Sequence, residues 1–423
     1  MATTTTQPYT AGLLRQLGGL ERFFSLVDQH HPLHFAMAAH IEGRKTVSNW
    51  RAALDALQQR HPLLSVGIEE DSSTPHFRAQ SNAPIPLRVV WNSTLSDWQQ
   101  EIASELATPF HPQQAPLVRA VVIQGRDESM FILAAHHSIA DGLSLAYAVR
   151  DTLQALHGEA LESLSPMPAQ EPLLYLSQES INSIESHAQP APPPEGRPIC
   201  FRTLDASLPH VDSLRLTPEL TYKLIERSRM ERTTVHGALC SALVIAGREI
   251  STDWRDSPVR ILSPFNLRKQ LGIGEDCGVF IWAGIVPFGT KESADFWDIA
   301  RYAKTALTSR QSLQDILLGM DGLDQAMSAG CDVSMASQIQ AQAFPSELLL
   351  TNLGSLPSCQ FERENLRLKA LWGPAVLMGF QGEQTVGVTT TNASLCLLHT
   401  SFAPMPSFLQ RTEQILLSAC ATS

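Results

Sequence analysis

This 423-residue sequence contains no CxxC pair, no run rich in lysine or arginine, and no long apolar stretch. Its seven cysteines (Cys200, Cys240, Cys277, Cys331, Cys359, Cys396 and Cys420) are odd in number and widely scattered. They predict reduced, mostly buried thiols of a cytosolic protein, not a disulfide framework or a zinc ribbon. The net charge is −11, from 31 basic and 42 acidic residues. Without a basic patch, neither a nucleic-acid backbone nor an anionic membrane is an expected partner. The longest apolar run, Gly278 to Phe288, falls far short of the roughly 20 residues that span a bilayer. The opening Met1–Gln7 has neither a basic n-region nor an apolar h-region, so no secretory signal is expected. A cytoplasmic protein, working as a monomer, is the expectation. GxSxG, Walker A, GxGxxG and HExxH patterns are also missing, which removes the common nucleophile, phosphate, dinucleotide and zinc-protease signatures.

What is present is a globular composition, 43% apolar and 17% charged, in a chain long enough for two domains. Residues 186–198 hold five prolines in thirteen positions, which forbids a helix or a central strand. They read as an extended linker between a first half, 1–185, and a second, 199–423. Both halves mix helix and strand signals. In the first, Val47–Gln59 is a helix with Trp50, Ala53, Leu54 and Leu57 on one face, ended by His61-Pro62 and followed by a strand over Leu63–Ile68. Leu117–Gln124 and Met130–His137 predict a hairpin through residues 125–129, and a helix runs from Gly142 to Leu156 with Gly158 as its stop. In the second, Thr217-Pro218-Glu219 opens a helix, and Val235–Gly247, Asp295–Ser312 and Ser407–Ala419 are further helices. Strands are predicted over Val259–Pro264, Gly278–Val286, Glu347–Asn352, Thr385–Thr391 and Leu395–Thr400. Mixed α/β (α+β) structure in both halves places a site between two lobes.

The sharpest local feature is His136-His137-Ser138-Ile139-Ala140-Asp141-Gly142, at the end of an apolar strand and the start of a helix. An HHxxxDG pattern arises by chance in about one chain in a thousand of this size, at ordinary residue frequencies. A strand alternates its faces, so one histidine can face a cleft while the other packs inward; His137 is assigned to the cleft and His136 to support. Asp141 suits the orphan N–H groups and positive dipole of a helix start, and Gly142 provides space or an unusual backbone angle. A satisfied structural histidine and an Asp-Gly turn remain alternative readings. A shared metal site for His136, His137 and Asp141 is awkward, because adjacent strand residues face apart.

These residues resemble the HHxxxDG motif of nonribosomal peptide synthetase condensation domains and their stand-alone relatives, the polyketide-associated (Pap-type) acyltransferases and alcohol acetyltransferases. The wider superfamily includes chloramphenicol acetyltransferase and the plant BAHD enzymes. Ordered matches extend the resemblance along the chain. They are Leu17–Glu21 (LGxxE), Arg60–Leu64 (RHPxL), Ala107–Phe110 with Ala115–Ala120 (PF…PLxRA), Thr233–Leu239 (TTxxxxL), Phe265–Arg268, Cys277–Phe280 and Thr351–Gly354. The resemblance implies two chloramphenicol-acetyltransferase-like lobes forming a V, with a tunnel at their interface and His137 at its middle.

It implies further that Asp141 is structural and pairs with Arg268. The DFGWG motif is absent, since Asp295-Phe296-Trp297 is no substitute, and the chain is short for a peptide-synthetase domain. Both points favour the ester-forming, polyketide-associated branch, with the latch across the tunnel placed near Leu371–Gly382. The implied reaction moves an acyl group from a thioester of coenzyme A or an acyl carrier protein onto the hydroxyl of a small-molecule, lipid or polyketide alcohol. His137 would be general base, with no covalent intermediate and no cofactor beyond the donor's phosphopantetheine. An amide-forming condensation enzyme acting on carrier-bound substrates, and a non-catalytic recruitment domain, remain alternatives. Oxyanion donors are sought among the first N–H groups of the Gly142 helix or at Thr351 and Asn352, which equally suit a strand-end turn. Lys223, Arg227, Arg229 and Arg232 form a candidate docking face for an anionic donor, or a solvated helix face balanced by Glu226 and Glu231.

Overall fold

The computed structural model describes residues 12–70, 74–80, 82–92, 94–179, 195–290, 295–356 and 359–421. Most of the proline-rich linker, 186–194, lies outside these residues. The predicted hairpin forms: Val118–Gln124 and Glu128–Ala135 pair antiparallel, with Gln124 opposite Ser129, and the turn closes with Gly125 N–H donating to Glu128 O at 2.9 Å. These strands lie inside a six-stranded sheet, whose order is Glu362–Arg363, Leu366–Ala375, Phe35–Glu42, Glu128–Ala135, Val118–Gln124 and Leu87–Trp91. A second six-stranded sheet runs Ile281–Phe288, Val259–Asn266, Leu348–Ser355, Gln384–Thr391, Ser394–Ser401 and His210–Arg215. A small third sheet joins Gly12–Gln16, His76–Ala79 and Val66–Glu69. The mixed α/β class is as expected.

The helix after the motif spans Gly142–His157, one residue longer than its apolar stripe requires. Its Leu145, Val149, Leu153 and Leu156 share a buried cluster with Trp50, Leu54 and Leu57 of helix Val47–Arg60. Beyond shifts of a few residues at element ends, four differences from the sequence reading matter. Leu63–Ile68 is a 3-10 turn over Pro62–Ser65 followed by a strand over Val66–Glu69, because proline fits the first position of a helical turn. The long helix expected over Asp295–Ser312 ends at Ser309, and a new one, Leu313–Ser328, starts where the Ser312 side chain accepts the Asp315 N–H. The strand expected from Gly278 begins only at Ile281, since the preceding backbone bonds the motif instead: Gly278 O accepts the Asp141 N–H at 3.0 Å and Phe280 N donates to Asp141 Oδ2 at 3.0 Å.

The fourth difference changes the domain division. The second half, read as one lobe over 199–423, gives residues 362–375 to the first half's sheet. Leu366–Ala375 pairs antiparallel with Phe35–Glu42, which satisfies an edge that would otherwise be open. The same strand is tied to the second sheet by side chains. Thr391 Oγ1 accepts the Leu371 N–H at 3.2 Å, the Thr389 hydroxyl donates to Leu371 O, and the Thr400 hydroxyl donates to Val376 O at 3.0 Å. Approach is close enough that a Cβ on Gly387 would lie 2.1 Å from Pro374 O, so only glycine fits there. This crossing strand clasps the two sheets together beside the motif.

Candidate active site

The motif strand, Glu128–Ala135, is buried along nearly its whole length, and the chain leaves it directly into the two histidines. His136 is fully buried. Its Nδ1 accepts the Ser138 N–H at 3.1 Å and lies 2.8 Å from Ser138 Oγ, so the ring proton sits on Nε2, 3.5 Å from Asp28 Oδ2. Asp28 also accepts the backbone N–H groups of Leu33 and His34, and its other imidazole contact is His34 Nδ1 at 3.0 Å. Burial alone would raise the Asp28 carboxyl, but His136, His34 and these N–H groups outweigh it and hold it below the usual carboxylate range. His136 thus belongs to a buried polar support, the role assigned from alternation.

His137 turns the other way. Its Nδ1 lies 3.1 Å from Ala140 O, an acceptor only, so Nδ1 carries the proton and Nε2 keeps a free lone pair. The imidazole stacks on Phe24, centroids 4.2 Å apart, and meets Phe35 at 4.6 Å. Burial among these rings pushes its pKa down from 6.5 to about 4, against a smaller upward pull from hydrogen bonding to its own backbone and from Asp141. The ring is therefore neutral at pH 7, as a proton acceptor must be.

His137 borders a cavity of ≈ 250 Å³ walled by both halves of the chain. Phe24 and Phe35 come from the first half, Trp282 and Phe344 from the second, and Pro374 and Val376 from the crossing segment. Gly142 and Leu143, at the N-terminus of the motif helix, also face it. Thr351 and Asn352 line the same space, in the middle of strand Leu348–Ser355 and just before its ladder shifts register. Asn352 Oδ1 accepts the Gly354 N–H at 2.8 Å, which orients its amide nitrogen as the remaining donor. The strand-end turn expected at Thr351 and Asn352 does not form, since the strand continues to Ser355. Of the segment Leu371–Gly382, Pro374, Val376 and Met378 line the cavity.

Asp141 stands behind this surface, fully buried, and caps the motif helix. Oδ1 accepts the Ser144 N–H at 2.8 Å; Oδ2 accepts the Arg268 guanidinium at 2.7 Å and the Phe280 N–H. Burial would raise the carboxyl, yet Arg268 and these N–H groups hold it below the ordinary carboxylate range. His136 faces Asp28, His137 the cavity and Asp141 Arg268, so the three do not converge. Among the described residues no group of three or more His, Cys, Asp or Glu side chains is arranged to hold a metal ion. Gly142 is required for fit: a Cβ there would lie 2.8 Å from Pro374 Cγ and 3.0 Å from Leu353 Cδ2, so the second half's residues, not a substrate, occupy the space it leaves.

Lys223, Arg227, Arg229 and Arg232 do not border the cavity. Arg227 pairs with Glu231 and Arg229 with Glu226, as on a self-balanced helix face. Phe24, Phe35, Asn266, Gln340 and Pro374 were not singled out from sequence, although all line the cavity. They come from distant parts of the chain, although Asn266 lies within the Phe265–Arg268 segment and Pro374 within the Leu371–Gly382 segment.

Two sheet-based lobes sharing a cavity behind an HHxxxDG loop define the condensation-type transferase class. Residues 21–178 match the condensation domain, and residues 205–367 match the phthiocerol/phthiodiolone dimycocerosyl transferase C-terminus. The first half is thus similar to condensation domains and the second to the C-terminal part of a polyketide-associated type of transferase. Polyketide synthase associated protein 5 from Mycobacterium tuberculosis superposes with a TM-score of 0.66 at 16% identity, over 97% of this chain and 99% of that one. The first condensation domain of the CDA synthetase gives 0.68 at 12%, over 98% and 97%. Tyrocidine synthase 3 of Brevibacillus parabrevis is 29% identical over 125 residues, 29% of this chain and 2% of that protein. Surfactin synthase subunit 2 of Bacillus subtilis (strain 168) is 30% identical over 122 residues, 29% of this chain and 3% of that protein. The chain thus spans a few per cent of the length of these two curated relatives. Among the described residues no helix is long and apolar enough to cross a membrane.

Proposed function

We propose that this protein transfers an acyl group from a thioester, of coenzyme A or an acyl carrier protein, to an acceptor hydroxyl, forming an ester. The observation that carries the reading is His137: a neutral imidazole with Nδ1 fixed on Ala140 O and Nε2 unprotonated, at an apolar cavity shared by two lobes. His137 Nε2 takes the acceptor's proton as its oxygen attacks the thioester carbonyl. The C–S bond breaks as the tetrahedral oxyanion collapses, and the imidazolium returns the proton to the departing thiolate. The first N–H groups of the motif helix and the Asn352 amide, which border the same cavity, serve as oxyanion donors in this reading. The aliphatic and aromatic walls suit a hydrocarbon acyl chain. The matched phthiocerol/phthiodiolone dimycocerosyl transferase segment supports ester formation over the amide-forming alternative.

The test is a transfer assay offering one acyl thioester to matched alcohol and amine acceptors, with the products identified by mass. Ester as the dominant product is expected. Amide as the main product would move the protein to carrier-bound condensation, and binding of acyl-loaded carrier without any transfer would make it a recruitment domain.

A further inference from the structure

One polar side chain in the cavity wall lies outside the acyl-transfer machinery. Gln340 sits in the last turns of helix Val333–Ala343 and is 1% exposed. Its Nε2 donates to Met378 O at 3.0 Å. A carbonyl only accepts, so this contact fixes which end of the amide is nitrogen and turns Oε1 away from it. That oxygen is buried and has no partner, while the residue lines the cavity. A buried acceptor without a donor is costly unless a ligand supplies one.

The surroundings indicate which ligand. Phe344 follows on the same helix, its N–H bonded to Gln340 O at 3.0 Å, and its ring meets Phe23 and Trp282, each at 6.1 Å. Hydrocarbon and aromatic surface of this kind receives an aliphatic chain, and an unpartnered acceptor beside it reads a donor on that chain. We propose that Gln340 is a specificity-determining residue, selecting acyl chains that carry a hydroxyl or N–H at the depth of its amide oxygen. This rests on the reading that the cavity holds the acyl chain. The pantetheine arm also carries N–H donors, but its polar length suits these walls less well than a substituted aliphatic chain does.

Isothermal titration of the full chain tests this without turnover. The probes are a straight-chain fatty acid, its monohydroxylated isomers with the hydroxyl stepped along the chain, and pantetheine. For the wild type, one isomer should bind about tenfold tighter than the plain acid, the size of one well-placed hydrogen bond to a buried acceptor. In Gln340→Leu that ratio should fall to within about twofold, while the plain acid binds as well or better. A wild type that prefers no isomer overturns the proposal whether or not the variant folds. So does a preference that survives in Gln340→Leu, or a loss of affinity confined to pantetheine, which would assign the amide to the donor arm. If discrimination holds but no acyl transfer is found with any acceptor, the preceding functional reading fails and the selectivity of Gln340 stands.

Discussion

Adjacent residues at the end of a strand face opposite ways, and the two histidines divide accordingly. His136 is enclosed by Ser138, Asp28 and Phe110; His137 meets the cavity. His136→Ala should therefore lower stability by about 2–5 kcal/mol, from the void it leaves and the lost support of Asp28, as read by denaturant unfolding. A His136→Ala protein as stable as wild type yet inactive would reverse the two assignments. The pH dependence belongs to the same scale. Because burial lowers His137 to about 4, the base is already neutral above that value. The acid limb of kcat/KM should lie near pH 4, with a plateau from about pH 5 upward. A limb near 6.5 would contradict burial of the imidazole. The folded state also holds fewer protons at this site than the unfolded chain between 6.5 and about 4. Stability present above 6.5 is thus lost as pH falls through that window, and circular dichroism across it separates unfolding from titration.

At the scale of elements, the motif helix is held at its start by one carboxylate that serves both halves of the chain. Asp141 caps Ser144 with Oδ1 and takes Arg268 and the Phe280 N–H with Oδ2. Truncating either Asp141 or Arg268 leaves the other charge buried, which should cost roughly 3–5 kcal/mol each. The double truncation should cost less than the sum. Additive losses in a double-mutant cycle would show that the pair does not act as a unit. Much of this was legible in sequence, because each signal was local: apolar spacing at Leu145, Val149, Leu153 and Leu156, an aspartate before Gly142, a turn at 125–129. The Arg268 partnership came from a family resemblance, and its 127-residue separation in sequence gave no local cue. Boundaries were lost where a tertiary bond competes with the ladder, as at 278–280, whose backbone bonds Asp141 before strand Ile281–Phe288 begins.

For the whole molecule, the division at the proline-rich segment is a division of sequence and not of sheets. Residues 362–375 return to the first sheet, and the crossing strand touches the second through Thr389, Thr391 and Thr400. No composition shift announces this: Leu366–Ala375 is not among the strands predicted from sequence, and its partner, Phe35–Glu42, lies over 300 positions earlier. The cavity needs all three contributions, and so most of its wall, Thr351, Asn352 and the 371–382 segment apart, was beyond sequence reading even though its base was not. The central claim remains the one placed on that base. It is tested most directly by single-turnover acyl transfer to an alcohol, comparing wild type with His137→Ala at matched thermal stability. Loss of a factor of about 10² to 10⁴ in rate is predicted, the range for a general base, with thioester binding retained. A variant that keeps more than about a tenth of the wild-type rate would contradict general-base catalysis by His137.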